Sequence, residues 1–93
     1  MHSGAFRGGH YHDQETVHLV LQGKIRFELV DPSTMERSEV MTNPMDIVRI
    51  PKGIAHLLEA IEESMFMEQW DKEKMSVDYE SQRLLVKKFL ESE

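Results

Sequence analysis

A chain of 93 residues, 40% hydrophobic and 30% charged, is one globular domain with room for a single modest core. Its net charge of -6, with no basic stripe, excludes a phosphate-backbone partner such as DNA or RNA. The absence of cysteine removes disulfides and thiolate ligands, and no apolar run approaches the length of a bilayer span, so the sequence reads as a soluble, cytoplasmic chain without a membrane partner.

Residues 1 to 6 contain Gly4 and suit a brief edge strand or a loose start. Arg7-Gly8-Gly9-His10-Tyr11-His12 follows as an extended segment in which His10 and His12, two apart, point the same way and Tyr11 the other. From Thr16 to Gln22 apolar residues fall on both parities, so both faces of this strand are expected to be buried. Gln22-Gly23-Lys24 is a tight turn into Lys24 to Val30, where Ile25, Phe27 and Leu29 alternate with Lys24, Arg26 and Glu28, the pattern of a half-buried hairpin partner. Asp31-Pro32-Ser33-Thr34 reverses the chain, since proline fixes φ and the aspartate bonds the backbone that follows.

Glu36 to Thr42 is a polar, peripheral strand ended by Asn43-Pro44. Met45 to Ile50 is a strand whose two parities, Met45, Ile47 and Arg49 against Asp46, Val48 and Ile50, leave the core face undecided. Pro51-Lys52-Gly53 turns the chain so that His56 opens the strand His56 to Ala60. Ser64 to Trp70 then closes a barrel, with Phe66, Glu68 and Trp70 on one face and Met65, Met67 and Gln69 on the other. Past Trp70 the composition turns polar, and a helix is expected over about 78–91. Asp78 is its N-cap, Glu80 sits in its first turn, Lys87 and Lys88 in its last, and Leu85, Val86, Phe89 and Leu90 form an apolar stripe. The reading is an all-β barrel over about 1–70 with a C-terminal α-helix, one domain over 1–93. Little chain precedes the first histidine strand, so a barrel edge is left to be covered, and with the apolar helix this predicts a homodimer.

His10, His12 and His18 fall in one stretch and His56 in the other strong turn-and-strand stretch, while His2 lies outside both. Folded side by side, the two stretches bring imidazoles together. His10, His12 and His56 then supply three neutral nitrogens for a divalent transition metal, whether zinc, iron, nickel, copper or manganese, with Glu15 or His18 available as a fourth ligand. The alternative is a metal-free pocket in which a histidine of near-neutral pKa is a base. Arg7 suits bidentate binding of a pyrophosphate or carboxylate, and Arg49 is a further ligand-binding cation. Glu68 joins His10 and His12 as a catalytic candidate, because a buried carboxylate needs a partner. The seven methionines read as core filler.

These residues carry a resemblance. The run from His10 through Gly23, with His-x-His, an acidic residue and a closing glycine, resembles the first signature of the cupins, and Pro51-Lys52-Gly53-Ile54-Ala55-His56 resembles the second. The likeness spans roughly residues 7–70 and implies a small jelly-roll-like barrel. It departs at one place: the glutamate ligand of the first signature is expected where this chain has Thr16, with Glu15 one place early, and a one-residue slip turns a strand side chain to the other face. His18 is one strand period on from Thr16, which predicts that it lies inside the pocket. Arg7-Gly8-Gly9-His10 is similar to the Arg-Gly-x-His core of cupins that act on nucleotide-linked sugars, among them epimerases, ketoisomerases and cupin domains of capsular-polysaccharide sugar epimerases. That implies a sugar or nucleotide-sugar ligand and an isomerase or epimerase. A metal-dependent oxygenase and a non-catalytic ligand-binding module are the alternatives.

Overall fold

The computed structural model describes residues 1–69, 76–78, 82 and 86. Eight strands run in chain order: β1 (Phe6–His12), β2 (Thr16–Gln22), β3 (Ile25–Val30), β4 (Arg37–Met41), β5 (Ile47–Ile50), β6 (Ala55–Ala60), β7 (Met65–Gln69) and β8 (Ser76–Asp78). They form two antiparallel sheets, one of five strands in the order β4-β3-β6-β1-β8 and one of three in the order β5-β2-β7. No helix among the described residues is long and apolar enough to cross a membrane.

The core lies between the sheets. Val20 of β2 and Val48 and Ile50 of β5 pack on Ile25 and Phe27 of β3 and Leu58 of β6. Phe27 is fully buried, and truncating such a side chain to alanine costs about 3–5 kcal/mol. Alternation decides the faces. In β5 Val48 and Ile50 are buried while Ile47 and Arg49 are exposed, which settles the face left open by sequence. In β2 Thr16, His18 and Val20 are buried, but Val17 and Leu19 are only half-buried, so one face is core and the expectation of two buried faces is not met. β4 is exposed along its whole length at the sheet edge, as its polar pattern predicts.

Two features differ from expectation. β8 lies in the stretch where the sequence suggested only polar chain and a helix start, and Asp78, expected as a helix N-cap, is the last residue of that strand. β8 pairs with the side of β1 that β6 leaves open, through His10 with Asp78, Tyr11 with Val77 and His12 with Ser76. β1 is therefore an interior strand, and the uncovered edge that motivated a dimer is closed within the chain. Most of the helix expected over about 78–91 lies outside the described residues, as does Trp70; Gln82 and Val86 are helical and buried, with Gln82 Nε2 donating to the Glu28 carbonyl at 3.4 Å.

Candidate metal centre

The site begins with a backbone irregularity. β1 pairs with β6 through Arg7 with Leu58 and Gly8 with Leu57, then through His10 with His56, so Gly9 is an extra residue in a bulge. Gly8 and Gly9 hold φ values of 95° and 81°, which glycine alone reaches at no steric cost. A Cβ on Gly8 would stand 2.8 Å from the His56 carbonyl oxygen, too close for any side chain to be accepted here without the strands moving apart. The bulge has a directional effect: strict alternation sends Arg7 and His10 to opposite faces, and the extra residue brings both to the same one. The second turn is tied to the first histidine strand by Gly53 N–H, which donates to the His12 carbonyl at 2.8 Å.

Four imidazoles converge as a result. Ring centroids are 4.5 Å apart for His10 and His12, 4.8 Å for His10 and His56, 5.1 Å for His12 and His56 and 5.8 Å for His18 and His56. The donor atoms of His10, His12 and His56 all lie within 4.8 Å of one another, and so do those of His18, His56 and Glu68. His12, His18 and His56 are buried and His10 is half-buried. Burial, and then the neighbouring His10 charge, push the His56 imidazole down to about 3, against a weaker opposing pull from the Ile54 carbonyl. At neutral pH His56 is an uncharged nitrogen donor. Three imidazoles in mutual contact have no stable fully protonated state, whereas neutral nitrogens around one cation have complementary charge; the donor set fits a divalent transition metal.

A cavity of about 540 Å³ opens beside the cluster, lined by Arg7, His10, His18, His56, Phe66 and Glu68 among others. That volume is in the range of small-molecule sites. Arg7 is exposed at this cavity with its guanidinium 5.8 Å above the Phe66 ring, a cation–π approach that holds it at the opening. His18 Nε2 lies 3.6 Å from Glu68 Oε1, the two residues being register partners on β2 and β7.

Arg7, His10, His12, His18, His56 and Glu68 are thus gathered in one region. Glu15 and Arg49 are not. Both lie on the exposed side, Arg49 Nη1 at 3.5 Å from Glu15 Oε1, and neither lines the cavity. The cause is parity: Thr16 and His18 face inward, so Glu15 faces out, and Arg49 follows Ile47 to the solvent. Thr16 is fully buried, and its hydroxyl has no hydrogen-bond partner among the described residues. Sequence reading passed over Phe6, Leu58 and His2 as cavity-lining residues. Leu58 is two residues on from His56 in the same strand, and that parity was the signal for it, while nothing in the local pattern marks Phe6 or His2.

A protein-family model described as Cupin matches residues 1–78. Solved structures of similar fold include the capsular polysaccharide assembling protein CapF from Staphylococcus aureus in two crystal structures and CapF with the inhibitor 3-isopropenyl-tropolone. Each is 24% identical with a TM-score of 0.61, over 72% of this chain and 19% or 20% of the other. The chain spans about a fifth of the length of those proteins, and the likeness is one of fold. No curated protein sequence matches. The two-sheet barrel, the paired histidine motifs and the family match over most of its length agree: this chain belongs to the cupin family.

Proposed function

We propose that this cupin domain binds a divalent transition metal through His10, His12 and His56 and takes a sugar or nucleotide-sugar into the adjoining cavity, where it serves as an isomerase or epimerase. The observation that carries this reading is the convergence of the three histidine donors within 4.8 Å beside a cavity of about 540 Å³ that has an arginine on its wall. A metal held there would polarise a ligand oxygen as a Lewis acid. Arg7 presents a planar fork of donors suited to a diphosphate, with its guanidinium carbon 5.8 Å from the Phe66 ring centre. His18 and Glu68 reach the same cavity and are 3.6 Å apart, so the carboxylate orients the imidazole to accept a proton from carbon beside a carbonyl. The likeness to CapF, a capsular polysaccharide assembling protein, agrees with a sugar-linked ligand.

The test is a thermal-shift and calorimetric screen of wild type and Arg7→Ala with nucleotide-linked hexoses. Arg7 makes charge-assisted hydrogen bonds worth about 1.5–3 kcal/mol, so the variant should bind roughly 10- to 100-fold more weakly. Absence of binding by any sugar nucleotide, or equal binding by wild type and Arg7→Ala, would overturn the ligand assignment. Binding without conversion of the bound sugar would remove the isomerase and leave a ligand-binding module.

A further inference from the structure

His56 belongs to two donor sets at once. One is His10, His12 and His56, all on the five-stranded sheet; the other is His18, His56 and Glu68, in which β2 and β7 of the three-stranded sheet supply two of the three. Within each set the donor atoms lie no more than 4.8 Å apart. His56 Nδ1 is 3.4 Å from the Ile54 carbonyl, which can only accept, so Nδ1 keeps its hydrogen and donates it, and the lone pair open to an ion is on Nε2. A ring nitrogen has one in-plane lone pair and binds one ion. The two sets therefore exclude each other.

We propose that the pocket holds one divalent ion in either of two overlapping positions, and that the chemistry of the ion decides which. This rests on the metal-binding reading above and extends it. The first position offers three neutral imidazoles, a set that suits zinc. The second offers two imidazoles and a carboxylate, the set associated with iron(II), and its hard oxygen favours manganese(II) over the all-nitrogen position. The carboxylate also offsets part of the ion's charge in a site where two of the three donors are buried.

The positions differ mechanically too. An ion in the first ties β1 to β6 within one sheet, while an ion in the second joins β6 to β2 and β7 across the barrel. Glu68 and His18 then hold the ion and are withdrawn from proton transfer. Manganese or iron(II) in the second position thus switches off the base that zinc in the first leaves available.

The experiment titrates chelator-stripped protein separately with zinc and manganese(II), by calorimetry and by thermal shift, in wild type, His12→Ala, Glu68→Gln and His56→Ala, each checked for fold by circular dichroism. Wild type should bind one ion per chain. His12→Ala should weaken zinc by about ten-fold or more and change manganese little; Glu68→Gln should do the reverse; His56→Ala should weaken both. If His12→Ala does not fold, His12→Gln is read in the same way. Two ions per wild-type chain, or one variant weakening both metals alike while the other weakens neither, overturns the two-position inference alone. A wild type that binds neither metal overturns the metal-binding reading and this inference with it.

Discussion

Replacing Gly8 by alanine tests whether the β1 bulge builds the site. Gly8 holds φ at 95°, and its Cβ would meet the His56 carbonyl oxygen at 2.8 Å. The left-handed backbone alone costs an alanine about 1–2 kcal/mol. Relieving the contact to an ordinary van der Waals distance requires the strands to part by roughly 0.6 Å, with further loss of ladder hydrogen bonding. That displacement falls beside the His10 and His56 pair, and metal–ligand distances tolerate only about 0.2 Å. Gly8→Ala should therefore lower Tm by roughly 4–8 °C per kcal/mol lost, and should weaken metal binding by about ten-fold or more. Thermal melts of the stripped protein separate the first effect from the second, which calorimetric titration with zinc reads directly. A variant with unchanged Tm and unchanged zinc affinity would refute the claim that close approach at Gly8 positions the histidines. Gly53→Ala is the control: its φ is also positive, at 80°, but the space around it is open, so its cost should be confined to backbone strain.

Acid should destabilise the domain through His56. Its folded pKa of about 3 lies below the ordinary 6.5, so the unfolded chain takes up the proton first; the contribution is full above about pH 6.5 and is lost progressively between 6.5 and 3, up to on the order of 5 kcal/mol. The urea midpoint of the metal-free protein should fall from pH 7 to pH 4 and fall less in His56→Gln; a midpoint flat across that range contradicts the burial argument. A homodimer is expected to cover the outer face of β5, β2 and β7, where Ile47, Met65 and Met67 are exposed. Sedimentation should find a dimer at micromolar concentration in wild type and a monomer in Met67→Glu, and a wild-type monomer would remove the dimer.

The strands were readable because alternation and turn chemistry coincided. Gly23 and Gly53 sit at positive φ in the turns their neighbours announce, and the inward set of β7, Phe66 and Glu68, follows simple parity. Parity also placed His18 beside His56. It says nothing of how Arg7 comes to share a face with His10, because a bulge residue cannot be counted from sequence: only pairing with β6 shows that Gly9 is extra. Arg49 misled for the opposite reason. Its neighbour Ile47 is apolar yet exposed, so the alternation in β5 carried no direction. β8 was missed because three residues of mixed polarity leave no periodic trace, and only the open side of β1 gives them a place.

Metal content bears most directly on the histidine centre. Wild-type protein purified without chelator should carry about one transition-metal ion per chain by elemental analysis, and His56→Ala, which removes the donor common to both ligand sets, should carry almost none while keeping its strand content by circular dichroism. A wild type without metal, or a folded His56→Ala variant that keeps the wild-type stoichiometry, would contradict the assignment of His56 as the residue around which the site is built.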